Sequence, residues 1–218
     1  MGSGGGRRNY QKEMERLIGR LPAGTVPGLL LHSCCGPCSS AVLERLTPWF
    51  DITVYYYNPN IYPPEEYHMR AKEQERLTAR IPHEHPIRFL EGEYRPEDFY
   101  AIAKGLEQVP EGGERCFRCY RLRLREAAAK ARELGLPYFT TTLTISPLKN
   151  AEWLNRIGEE AAAEYGGVVW LPSDFKKKDG YRRSCELSEE YGMYRQDYCG
   201  CVYSLRRDFS VSADSERK

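Results

Sequence analysis

Two rhythms of apolar and polar positions alternate along the chain. Short runs of leucine, β-branched and aromatic residues recur at Gly28–His32 (GLLLH), Asp51–Tyr57 (DITVYYY), Ile87–Leu90, Tyr138–Leu143 (YFTTTL) and Val168–Leu171. Brief runs of this kind bounded by turn residues predict strands, the first of them (Gly28–His32) buried. Between them lie longer segments with charges at helical spacing, which predict helices over Ser40–Leu46, from Pro63-Pro64 through Arg80, and over Pro96–Leu106, Cys116–Leu134 and Lys149–Tyr165. Their ends carry the expected signals. Prolines and acids (Pro63-Pro64-Glu65-Glu66) open one helix, glycines (Gly135, Gly166-Gly167) close two, and Asn58-Pro59-Asn60 marks a turn. Strands alternating with helices predict an α/β fold, a mostly parallel sheet with helices on both faces. From Lys176 the pattern breaks into short helices and turns rich in Tyr, Arg and Cys. Three parts are therefore expected: a flexible N-terminal segment and lead-in helix (1–26), a sheet domain (27–175) and a C-terminal cap (176–218).

Composition narrows the class. With 218 residues, 41% of them hydrophobic, the chain can bury a core of its own. No apolar run approaches the roughly 20 residues needed to cross a bilayer, and the basic start MGSGGGRRNY has no apolar stretch behind it. These features predict a cytoplasmic protein without membrane association. In a reducing compartment, clustered thiols are metal ligands or redox groups more often than structural disulfides. The chain has eight cysteines. Net charge is only +1, so any nucleic-acid surface must come from local basic patches.

Cys34-Cys35-Gly36-Pro37-Cys38 follows the first strand and precedes a helix, the position where open α/β sheets collect ligands and where a helix N-terminus favours thiolate. The alternative is a thioredoxin-like CxxC, which leaves Cys34 unexplained. Cys116-Phe117-Arg118-Cys119 opens a helix and puts two sulfurs on one face. Together the two groups supply four thiolates, a set that suits zinc or an iron–sulfur cluster. Nothing resembles paired zinc knuckles, which tilts the reading toward iron–sulfur and leaves zinc open. Cys199-Gly200-Cys201 sits at the edge of disulfide range, and a turn at Gly200 would bring the pair together; such a bridge would be easily reduced. The alternative is two further ligands. Cys185 reads as a packed thiol.

Lys176, Lys177, Lys178, Arg182, Arg183 and Arg195 stand among tyrosines near the last cysteine pair. Such residues can neutralise phosphates and stack on bases, or form a solvated face. No Walker-type loop and no GxGxxG follows a strand, so neither nucleotide hydrolysis nor dinucleotide binding is signalled.

Six segments, LLLHSCCGPCSS, YYYNPNIYPPEEYHMR, CFRCYRLRL, TTTLTISPLKN, DFKKKDGYRRS and YGMYRQDYCGCVYS, together resemble the cobalamin-independent epoxyqueuosine reductase family (QueH), from about Leu29 to Ser204. The resemblance implies a Rossmann-like fold related to the ATP-pyrophosphatase group. It implies reduction of epoxyqueuosine to queuosine at the wobble base of a tRNA with a G-U-N anticodon, with an external electron donor. It further implies that Cys34, Cys35, Cys116 and Cys119 hold a 4Fe–4S cluster and that Cys199 and Cys201 form a redox-active disulfide. Cys38 is then a candidate for a second metal, an additional iron. The basic residues named above are candidates for gripping the anticodon backbone. Two rivals stand beside this expectation: a thiol–disulfide oxidoreductase acting on proteins, and a zinc-stabilised RNA-binding module.

Overall fold

The leucine run that marks the first strand is completely buried, and its side chains divide between two cores. Leu29 and Leu31 join one and Leu30 the other, because successive strand residues point to opposite faces. The computed structural model describes residues 8–205. In chain order its elements are α1 (Tyr10–Ile18), β1 (Gly28–His32), α2 (Gly36–Leu46), β2 (Asp51–Tyr56), α3 (Pro64–Arg80), β3 (Ile87–Glu91), α4 (Pro96–Ala103), α5 (Glu114–Glu133), β4 (Tyr138–Thr141), α6 (Ala151–Tyr165), β5 (Val169–Trp170) and α7 (Gly180–Glu190). Short 3-10 turns cover Thr142–Ile145 and Val202–Ser204.

The five strands form one all-parallel sheet in the order β3-β2-β1-β4-β5. Helices α2 and α7 pack together on one face, with Val42, Leu46, Leu187 and Met193 in the core that holds Ile52 and Val54. Helices α5 and α6 pack on the other, where Leu124, Ala128, Leu154 and Ile157 meet Phe139 and Trp170. Helices on both faces of a parallel sheet are as the strand–helix rhythm predicts. The strand order reverses between β1 and β4. At such a switch point the loops leaving the two strands diverge and open a crevice at their carboxyl ends. The loops at this crevice are Ser33–Cys38 and Thr142–Asn150.

Local chemistry moves several boundaries from their predicted places. Helix α2 begins at Gly36, not Ser40, with Cys35 as its extended N-cap and Pro37 in the first turn; proline is preorganised for that position. This puts Cys38 inside the helix. The strand predicted over Tyr138–Leu143 ends at Thr141, whose hydroxyl accepts from Leu143 N and turns the chain into the 3-10 segment. Helix α6 starts at Ala151, capped by the Asn150 side chain on Trp153 N at 3.1 Å. Helix α4 stops at Ala103, three residues short of the predicted Leu106. Between 176 and 205, Leu187 and Met193 share the core that holds residues of β1 and β2; residues 1–7 and 206–218 of the expected end segments lie outside the described residues. Among the described residues, no helix is long and apolar enough to cross a membrane.

Gly158 lets α6 approach the sheet, because a Cβ there would lie 2.2 Å from the Trp170 ring. Gly158→Ala is expected to destabilise the fold by about 1–3 kcal/mol through overpacking, read as a lower urea midpoint with an unchanged slope.

Candidate metal and thiol site

Seven of the eight cysteines gather at the switch-point end of the sheet, in two groups. The first comes from the β1–α2 turn. The sulfurs of Cys34, Cys35 and Cys38 all lie within 4.8 Å of one another, with Cys34 and Cys35 3.8 Å apart. Cys34 and Cys35 are buried and Cys38 is half-buried. Packed together, the three thiols shift one another's ionisation in opposite directions. Hydrogen bonds from Cys35, then Cys38, hold the Cys34 thiol well below its ordinary range. The same thiolate pushes Cys35 up to about 12 and Cys38 well above its ordinary value.

The second group joins the start of α5 to the Cys199–Cys201 turn. Cys116, Cys119, Cys199 and Cys201 act electrostatically on one another. Burial raises Cys116, pushes Cys119 up to about 12 and Cys201 up to about 11. All eight cysteines are free thiols. Arg115, buried beneath α5, donates to Leu106 O at 2.8 Å and to Val109 O, and so ties the preceding loop to the helix that presents Cys116 and Cys119. The Cys199–Cys201 segment is held by backbone pairing. Tyr62 N donates to Gly200 O at 2.8 Å, and Ile61 bridges Cys201. Gly200 has φ +102°, and a Cβ there would approach Ile61 Cγ1 to 3.0 Å and Arg70 Nη1 to 3.1 Å. The turn read at Gly200 therefore requires glycine. Cys185 lies half-buried on α7, outside both groups.

Three cations stand among these sulfurs. Arg123 is fully buried on α5 and donates to Asn58 Oδ1, while its Nε has no partner. Burial works against its charge, but Cys119, then Cys34 and Cys199, raise its pKa. Lys149, half-buried on the β4–α6 loop, behaves the same way: burial opposes its charge, and Cys199, Cys34 and Cys38 outweigh it. Arg70 pairs with Glu66 at 2.6 Å, donates to Cys199 O at 3.4 Å, and keeps a buried Nη2 without a partner. For Arg123 and Lys149 the dominant charges are sulfurs, and among the described residues neither is paired with a carboxylate. An uncompensated buried charge is strongly destabilising. These two cations call for negative charge beside them. Metal bound by several thiolates supplies it, since a coordinated thiol is deprotonated outright. The donor set thus fits a thiolate-bound metal centre. Cys34 and Cys119 both act on Arg123, and Cys116 packs on the apolar cluster containing Cys34 and Cys35; of the four thiols expected as ligands, Cys34 and Cys35 belong with Cys38 to the one group among the described residues whose sulfurs lie within 4.8 Å of one another. Cys38 belongs to the tight trio, a closer association than its sequence suggests.

A cavity of about 340 Å³ opens over this centre, within the range of small-ligand sites. Cys34, Cys38, Cys199, Lys149, Arg195 and Tyr198 line it. Arg195 is fixed there by Ser188 Oγ at 2.9 Å, with its guanidinium 5.9 Å from the Tyr181 ring centroid. The remaining basic candidates lie outside that cavity. Lys178 pairs with Glu15, Arg183 with Glu44 at 2.7 Å, and Arg182 with Asp179 at 3.0 Å. Lys176 pairs with Asp174 at 2.7 Å, and Lys177 is exposed; both line a neighbouring cavity.

Sequence reasoning missed Lys149, Arg70 and Arg123. For the two arginines a signal was present. Arg123 stands on the same helical stripe as Tyr120, Leu124 and Ala127, and Arg70 on that of Tyr67, Ala71 and Gln74; all of these are buried. A charge on an apolar stripe asks for a buried counter-charge.

The sequence model described as "Epoxyqueuosine reductase QueH" matches residues 29–207. Among curated relatives of that same name, the one from Streptococcus pyogenes serotype M1 is 45% identical over 201 residues, 91% of this chain and 78% of the relative. The relative from Staphylococcus epidermidis (strain ATCC 12228 / FDA PCI 1200) is 44% identical over 204 residues, 91% of this chain and 85% of its own. That from Staphylococcus aureus (strain Mu50 / ATCC 700699) is 42% identical over 201 residues, covering 90% and 83%.

Two outcomes are expected. Arg123→Met keeps much of the side-chain volume but removes the charge. Its apparent affinity for a thiophilic ion should fall about tenfold or more, measured by cadmium titration of thiolate absorbance, with helix content unchanged. His32 is buried between Thr141 Oγ1 at 2.8 Å and Tyr57 O at 3.1 Å. Burial first, and Arg123 second, push its pKa down from 6.5 to about 3. The unfolded chain therefore binds a proton that the folded chain refuses between those values. Stability should fall as pH drops below about 6.5, by up to about 1.4 kcal/mol per pH unit from this group. Denaturant melts across pH should show that slope in the parent and lose it in His32→Gln.

Proposed function

The chain belongs to the epoxyqueuosine reductase QueH family, and from that premise we propose that it reduces epoxyqueuosine to queuosine at the wobble position of a tRNA with a G-U-N anticodon. The observation that supports the reading is the cavity lined by Cys34, Cys38 and Cys199, with half-buried Lys149 on its wall and buried Arg123 close to the same sulfurs. Epoxide reduction needs two electrons and two protons, and gives an alkene and water. A reduced Cys199/Cys201 pair holds that complement: forming one S–S bond releases two electrons and two protons, and breaking both C–O bonds of the epoxide consumes them. The resulting disulfide is reset by an external electron donor.

On this reading Cys34, Cys35, Cys116 and Cys119 hold a 4Fe–4S cluster, and Cys38 stands ready for an additional iron. When bound, the cluster supplies single-electron transfer, which a redox-inert zinc ion does not. The chain's own residues do the rest. Lys149, held protonated at the cavity wall, faces the position where negative charge develops on the epoxide oxygen, a preorganised electrostatic contribution. Arg195 and Tyr198 contact the modified base or its phosphate at the cavity mouth. Arg70 fixes the dithiol turn through Cys199 O. The target base has to leave its stack to enter, as for other base-modifying enzymes. Lys176, Lys177, Lys178, Arg182 and Arg183 lie on the surface that the anticodon backbone would follow. Of these, Lys177 is the least committed to internal ion pairs and makes the strongest phosphate candidate.

Protein prepared anaerobically should carry iron and acid-labile sulfide and absorb in the visible. It should convert epoxyqueuosine to queuosine in tRNA from cells blocked at the last queuosine step. Cys199→Ser should lose about a hundredfold or more in multiple-turnover rate while keeping its iron. Full multiple-turnover activity in that variant would remove the dithiol from the reaction. A colourless protein with stoichiometric zinc would remove the cluster.

A further inference from the structure

Between β4 and α6 the chain makes a ridge with a cavity on either side. On one side is the thiol cavity; on the other is a larger one of about 810 Å³, lined by Lys177, by the ion-paired Arg8 and Lys176, and by Glu152 and Asp174. Pro147, Leu148 and Lys149 belong to the walls of both. At the crest, Leu148 is 78% exposed, the most exposed large hydrophobic side chain among the described residues; the next, Trp49, is 48% exposed. A lone exposed leucine means little. This one stands where the two cavities meet, and the backbone beneath it is fixed. Ile145, fully buried, anchors one end, and the Asn150 cap of α6 anchors the other. Ser146 holds the tip, its Oγ accepting from Leu148 N at 3.3 Å and its carbonyl from Lys149 N at 3.2 Å. Pro147 restricts the backbone further.

A rigid apolar tip flanked by cations matches a recurring way of handling nucleic acid. Apolar side chains are inserted between bases to part a stack, while basic residues hold the phosphates on either side. We propose that Leu148 is the wedge that parts the modified nucleotide from its neighbour. The target base is drawn into the thiol cavity on one side of the ridge. The adjoining nucleotide lies across the crest, its base against Leu148 and its phosphate toward exposed Lys177 in the larger cavity. Leu148 is thus a positioning residue for the substrate strand, outside the reacting atoms. This inference rests on the reading that the substrate is a tRNA wobble nucleotide.

The test uses the full chain, loaded with its metal, and an anticodon stem-loop carrying epoxyqueuosine with 2-aminopurine as the adjacent residue. Fluorescence of 2-aminopurine rises when it unstacks, anisotropy reports binding, and product formation reports turnover. With Leu148→Ala at saturating protein, the unstacking signal should fall to about a third or less of the parent's, and kcat/KM should drop about tenfold. Iron content and circular dichroism should not change, and Leu148→Met should restore most of both signals. Parent-like unstacking and turnover in Leu148→Ala would overturn the wedge. A loss of iron or helix content accompanying any drop in rate would assign Leu148 a structural role and likewise overturn it. If the parent binds and unstacks the stem-loop without reducing it, the reductase reading fails while the wedge stands. If the parent does not bind the stem-loop, both fail.

Discussion

Asn58 joins the three segments on which this site depends. Its Oδ1 accepts from buried Arg123 on α5, and its Nδ2 donates to Ser33 O at 2.8 Å in the turn after β1. One side chain from the β2 turn therefore locks the cysteine-bearing β1–α2 turn to the helix that presents Cys116 and Cys119. The arrangement is costly unless Arg123 has negative charge nearby, and the groups that favour its charge most strongly among the described residues are sulfurs. Fold and cofactor chemistry are coupled at this point. The position of the thiols depends on an arginine whose own burial is tolerable only if thiols lose their protons.

Much of the architecture is legible in the sequence because its signals are local. The strands are short apolar runs, and β1 and β2 are buried along nearly their whole length. The helix caps lie at residues whose chemistry announces them, such as Pro37 and Asn150. The departures were local too. A threonine hydroxyl at 141 ended β4 early, and the proline in the cysteine turn started α2 earlier than composition suggested. The grouping of the thiols is only partly legible. CCGPC and CxxC can each be read as ligand motifs, but that Cys38 would lie within 4.8 Å of both neighbours follows from its place in the first turn of α2. The basic residues illustrate the limit. Lys176, Lys178, Arg182 and Arg183 form a conspicuous run, yet each has an internal acidic partner. Lys149, unremarkable in sequence, stands among sulfurs because β4 and β1 are neighbours in the sheet.

On the proposed reading, the same adjacency keeps the residues for substrate handling and those for electron supply on separate segments. β1 contributes the cysteine turn, β4 contributes the ridge with Lys149, and the last turn, pinned against Ile61 and Arg70, contributes the dithiol. The first two arrive on different strand connections and the third on the segment after α7, so each can be tuned without refolding the others. A wall common to two cavities then makes the β4–α6 loop the place where recognition of the strand meets the chemistry on its base.

The distance in sequence between the two cysteine groups has a consequence for folding. The trio sits near the start of the sheet domain and the pair at 116 and 119 lies about 80 residues later, with β2, α3, β3 and α4 between them. A centre that takes ligands from both acts as a cross-link closing that loop. By the chain-entropy argument for covalent cross-links, a tie of this span restricts the unfolded chain by on the order of 4 kcal/mol. Loss of the metal would then loosen the half of the sheet bearing β2 and β3 more than the half bearing β4 and β5, which lies outside the loop.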